Sequence, residues 1–75
     1  MTAKEMFEKL SFKQIEEDEY SLKYYSNEIY YDVTVYFNKE KQSYIVTYNI
    51  EIPRSITLEL HKAIHQQMKE LGWLE

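Results

Sequence analysis

The sequence predicts an α+β domain of two layers: a three-stranded antiparallel meander with one helix before it and one after, both packed on the same face (α-β-β-β-α). Three observations carry this. Both ends of the chain space apolar residues at helical period, the middle alternates apolar and polar residues with period two, and the connections are short and polar.

The first helix is announced by Thr2-Ala3-Lys4-Glu5, a capping box in which Thr2 and Glu5 satisfy each other's backbone N–H. Met6, Phe7 and Leu10 share its apolar face, and Phe12 anchors the chain as it leaves. Glu16, Glu17, Asp18 and Glu19 repel one another and resist burial together, so this acidic run reads as a solvated turn into a strand. Residues 20–25 form the first expected strand, with Tyr20, Leu22 and Tyr24 on one side and Ser21, Lys23 and Tyr25 on the other.

The second strand spans residues 29–37. Ile29, Tyr31, Val33, Val35 and Phe37 face one way, and Tyr30, Asp32, Thr34 and Tyr36 the other. Residues 38–42 are a polar hairpin connection without the Asn-Gly pair of the tightest turns. The third strand, residues 43–52, sets Tyr44, Val46, Tyr48 and Ile50 against Ile45, Thr47, Asn49 and Glu51, and Pro53 ends the ladder by lacking a backbone donor. The second helix has Ser55 or Thr57 as cap and a stripe of Leu60, Ala63, Ile64, Gln67, Met68 and Leu71. Gly72 suits the left-handed C′ position, and Trp73 then falls where a Schellman motif places an apolar contact with Met68.

Seventy-five residues, 44% hydrophobic and 29% charged, describe one small folded domain, here read as residues 1–73. Leu74 and Glu75, after the natural-looking stop at ELGW, read as vector-derived. With no cysteine, neither a disulfide framework nor a thiolate zinc site is available, so stability rests on the apolar core and a reducing, cytoplasmic setting fits. The absence of a long apolar run or a signal-peptide pattern argues against a membrane location. A net charge of −4 counts against binding nucleic-acid phosphates, which is driven by Lys and Arg.

Five of the eight tyrosines lie in residues 21–37, and strand parity sorts all eight. Tyr20, Tyr24, Tyr31, Tyr44 and Tyr48 share register with the aliphatic residues and belong to the core or its margin. Tyr25, Tyr30 and Tyr36, with Ile45 and Thr47, fall on the opposite face, which neither helix covers. These five are the candidate protein-binding residues, for a host or phage protein or for a second copy in a homodimer. The plain alternative is that Tyr and Thr simply suit exposed strands. A base-stacking platform would need more cations than the Lys23 this face offers against Asp32 and Glu51.

His61 and His65 stand one helical turn apart and share a stripe, but Lys62 occupies the place where a zinc-protease motif needs Glu, and no third ligand is evident. They read as surface histidines beside the core stripe. There is no glycine-rich phosphate loop, no cysteine nucleophile and no carboxylate pair in a setting that raises one pKa. Neither an enzyme nor a cofactor or metal requirement is expected. A different class of function is an acidic nucleic-acid mimic, in which Glu16 to Glu19 and other surface acids occupy a DNA- or RNA-binding host or phage protein.

The opening MTAKEMFEKLSF and the close AIHQQMKELGW resemble small phage and prophage proteins of Gram-positive bacteria, with the patterns M-T-A-x-E-M-F-E-x-L and A-I-x-x-Q-x-x-E-L-G-W. The resemblance covers residues 1–12 and 63–73, with a loosely tyrosine-rich region between. Ser11 departs from it, because glycine follows the leucine in those proteins; a glycine would close the first helix through a left-handed residue, so the resemblance leaves the exact helix end open. It implies no particular activity. It does imply expression inside a bacterial host cell, where such proteins commonly bind host or phage proteins.

Overall fold

A computed structural model describes residues 1–27, 32–49 and 55–74. In chain order the elements are α1 (Ala3–Lys9), β1 (Lys13–Glu17), β2 (Ser21–Asn27), β3 (Asp32–Asn38), β4 (Ser43–Tyr48) and α2 (Leu58–Glu70). The strands form one antiparallel sheet in the order β1-β2-β3-β4. The α+β class with two helices is as expected, but the sheet has four strands where the sequence predicted three.

The additional strand is β1, in the stretch read as helix exit and solvated acidic turn. Its acids do not simply repel one another. Glu16 stands opposite Lys23 in register and pairs with it at 3.7 Å, and its carboxylate also accepts from the Ser21 hydroxyl at 2.7 Å. Glu17 pairs with Lys39 at 3.3 Å. The Asp18 carboxylate accepts from the Tyr20 and Ser21 N–H groups at 2.8 Å each, building the turn into β2 and holding its own pKa below the ordinary value. The turn proper therefore begins at Asp18, and Glu16 and Glu17 belong to a strand.

The two helix ends are built alike. Thr2 and Glu5 form the expected capping box, with Thr2 N donating to Glu5 Oε1 at 2.8 Å and Glu5 N to Thr2 Oγ1 at 3.2 Å. At the other end of α1 Ser11 takes φ +68°, while Phe12 N donates to Phe7 O and Ser11 N to Glu8 O, both at 3.0 Å. This is a Schellman motif with a serine where glycine is favoured, and its apolar contact is the edge-to-face pair Phe7–Phe12, 5.6 Å between centroids. α2 starts on Thr57, whose hydroxyl accepts from Leu60 N at 3.1 Å. It ends in the same motif: Gly72 has φ +79°, Trp73 N donates to Met68 O and Gly72 N to Lys69 O.

The core lies between the helices and one face of the sheet. Leu22 and Tyr24 from β2, Val33, Val35 and Phe37 from β3, Phe7 from α1, and Leu60, Ala63 and Ile64 from α2 are all buried there. Tyr24 is its hinge point, as its ring stacks on Phe7 at 3.9 Å and its hydroxyl donates to the buried Gln67 Oε1 at 2.7 Å, tying the sheet to both helices. Phe37 meets Phe7, Tyr24 and Trp73 edge-on, so the tryptophan packs onto the sheet as well as closing α2. The start of α1 meets the end of α2, where Ala3 N donates to Glu70 Oε2 at 2.8 Å.

Two tyrosines assigned to the core side sit differently. Tyr20 is 59% exposed because it lies in the turn before β2, outside the pleat that its parity assumed. Tyr44, on the end strand, keeps one side against Phe37 at 5.9 Å and is otherwise open to solvent. Ser21, expected on the outer side, is buried where β2 begins, held by Glu16 and Asp18. Among the residues read from the sequence, Ile29, Tyr30, Tyr31, Ile50, Glu51, Ile52, Pro53 and Glu75 lie outside the described residues.

Candidate functional site

The face of the sheet turned away from the helices is assembled from all four strands. In register across it, Lys23 stands beside Tyr36 and Tyr36 beside Ile45, while Tyr25 stands beside Thr34 and Thr34 beside Thr47. Among the described residues neither helix reaches this side, because α1 and α2 bury their stripes against Tyr24, Val35 and Phe37. The expected candidates Tyr25, Tyr36, Ile45 and Thr47 are thus brought onto one surface. Tyr30, the fifth, lies outside the described residues.

One residue of this surface escaped the sequence reading. Gln14 pairs with Tyr24 and Glu16 with Lys23, which leaves Ile15 as the extra residue of a β-bulge. Ile15 is 51% exposed and borders a shallow depression with Lys23, Thr34, Tyr36, Ile45 and Thr47. The signal was a lone isoleucine in KQIEE, an apolar side chain among polar ones with no buried partner to explain it.

The surface is apolar at its centre and mixed in charge around it. Ile45 is 55% exposed and Tyr36 half-buried. The Lys23 ammonium lies 5.2 Å from the Tyr36 ring centroid and pairs with Glu16, so this cation is occupied on both sides. At the edge of the patch the Tyr25 hydroxyl accepts from Asn27 Nδ2 at 3.2 Å, and Asn27 also donates to Asp32 at 2.7 Å. The patch offers an aliphatic and aromatic centre with hydroxyls around it, a composition suited to a protein surface.

Elsewhere the chemistry is sparse. His61 and His65 are exposed, with rings 6.5 Å apart and nearly parallel, and among the described residues no three His, Cys, Asp or Glu side chains converge as metal ligands. A recess of about 210 Å³ beside Phe12, Val33, Leu60 and Thr57 is smaller than the pockets that enclose most small-molecule ligands. Among the described residues no helix is long and apolar enough to cross a membrane. Comparison of the chain with protein-family models, with curated protein sequences and with solved structures gives no match.

Proposed function

We propose that this chain is a non-enzymatic interaction module, acting in a phage or prophage context and binding a protein through the outer face of its sheet. The observation that carries this reading is the cross-strand pair Tyr36 and Ile45, with Ile15 on the far side of the same shallow depression beyond Lys23 and both isoleucines more than half exposed. The phage context rests on the resemblance of residues 1–12 and 63–73. The partner is a host or phage protein or a second copy of the chain, met in the cytoplasm of the bacterial host.

Affinity capture from infected and uninfected host lysate, with Tyr36→Ala/Ile45→Ala beside the wild type, tests the role of the face. A protein retained by the wild type is lost from the double variant. Equal retention by both proteins refutes the assignment. The acidic-mimic alternative is less favoured, because Glu16, Glu17 and Asp18 are spent on Lys23, Lys39 and the turn backbone and do not stand free as an array of charges.

A further inference from the structure

The two edges of the sheet are unequally protected. β1 is bulged at Ile15 and carries Lys13, Glu16 and Glu17, devices that discourage strand addition. Among the described residues β4 forms the other edge, and residues 42–49, QSYIVTYN, contain no charge, proline or glycine and are rich in residues that favour strands. Which of its backbone groups face outward follows from one hydrogen bond. Asn49 N donates to Asp32 O at 3.2 Å while Asp32 N donates to the Asn49 side-chain Oδ1, and the single backbone bond between these opposed residues fixes the phase of the ladder. Alternation then gives Thr47 with Thr34, Ile45 with Tyr36 and Ser43 with Asn38 as the bond-exchanging pairs, and turns the N–H and C=O of Tyr44 and Val46 away from β3.

We infer that β4 pairs antiparallel with β4 of a second copy of this chain, about a two-fold axis through Ile45. This rests on the interaction role proposed above for the outer face, and it names both the partner and the edge by which that partner joins. In this register Tyr44 exchanges backbone bonds with Val46 of the second copy, and Val46 with Tyr44 of the second copy. Ile45 meets Ile45 of the second copy at the axis. Because Tyr36 is the cross-strand neighbour of Ile45, the apolar strip runs unbroken from one Tyr36 to the other.

The absence of charge along β4 lets a second copy approach at this edge. Two chains of net charge −4 repel, but residues 42–49 carry no charge that would oppose their own copy along the paired strands. The paired segment is short, so the dimer is weak, with a dissociation constant on the order of micromolar or above.

The test is sedimentation velocity of the full chain across a wide concentration range, for wild type, Ile45→Lys, Ile45→Glu and an equal mixture of the two variants. The wild type is expected to rise from 9.2 kDa toward twice that mass. Each variant alone, placing like charges at the axis, stays monomeric, and the mixture dimerises. Val46→Pro, which removes an outward N–H while sparing the bonds to β3, is also monomeric with an unchanged circular dichroism spectrum. A wild type that is monomeric at millimolar concentration overturns the inference, as does an Ile45→Lys variant that dimerises normally, or a mixture that stays monomeric where the wild type pairs. A monomeric chain whose Tyr36→Ala/Ile45→Ala variant loses a protein partner overturns the two-fold and leaves the outer-face role standing.

Discussion

Tyr24→Phe isolates one buried hydroxyl. The ring keeps its stack on Phe7, so what is lost is the 2.7 Å bond to Gln67 Oε1, made where Tyr24 is 1% and Gln67 6% exposed. Leaving that acceptor buried and unpaired costs about 1–3 kcal/mol. For a domain of this length each 1 kcal/mol moves Tm by about 4–8 °C, so a fall on the order of 10 °C is expected. Gln67→Leu strands the phenol instead and costs a similar amount. The double variant Tyr24→Phe/Gln67→Leu replaces both partners by apolar groups, and urea denaturation is expected to show it less destabilised than the sum of the singles by about 1–2 kcal/mol. Additivity within about 0.5 kcal/mol refutes the account of this bond as the tie between sheet and α2.

The same group gives a pH signature. Burial, reinforced by the carboxylates of Glu70, Glu17 and Glu8, pushes the Tyr24 phenol from 10.0 up to about 12. A pKa raised in the folded state means stability fully present below pH 10 and lost as the pH climbs through 12. At about 1.4 kcal/mol per tenfold change, the loss is on the order of 2–3 kcal/mol. Tyr24→Phe has no such loss, so the advantage of the wild type at neutral pH is erased by pH 12. A difference between the two proteins that stays constant from pH 8 to 12 contradicts the burial argument.

Ser11 sits at φ +68° in a Schellman motif where glycine carries no Cβ penalty, so Ser11→Gly is expected to stabilise by about 0.5–1 kcal/mol, read as a rise in Tm. Gly72→Ala is the converse: nothing lies within 4 Å of the added Cβ, so its cost of about 1 kcal/mol is backbone strain alone. The N–H groups of Tyr20 and Ser21 hold the Asp18 carboxyl below its ordinary value, so its contribution is present above that value and lost as the pH falls through the lower folded one. Thermal melts should therefore show the wild type more stable than Asp18→Asn at pH 7, with the gap narrowing as the pH falls below the ordinary carboxylate range.

What was legible in the sequence follows from what periodicity reports. Val33, Val35 and Phe37 read as one buried face because β3 has a strand on each side and the helices above it, so every second side chain is sealed. The α2 stripe and its closure at Gly72 read equally well, since a 13-residue helix with one buried side has several turns over which to repeat its pattern, while the N-cap, left open between Ser55 and Thr57, is Thr57. β1 carries no such pattern. It lies at an edge, Gln14 is only half-buried and the rest of the strand is exposed, and the bulge at Ile15 breaks the period inside five residues. What forms it is backbone pairing with β2 and the charge pairs Glu16–Lys23 and Glu17–Lys39, neither of which leaves alternation in the sequence. The omission also hid part of the candidate surface, because the bulge that erases the pattern puts Ile15 on the rim of the depression that Lys23, Tyr36 and Ile45 also line. A short edge strand is recognisable by a different sign: opposite charges at positions that pair across a turn, as Glu16 and Lys23 do around the Asp18 turn, together with one apolar residue that no core claims.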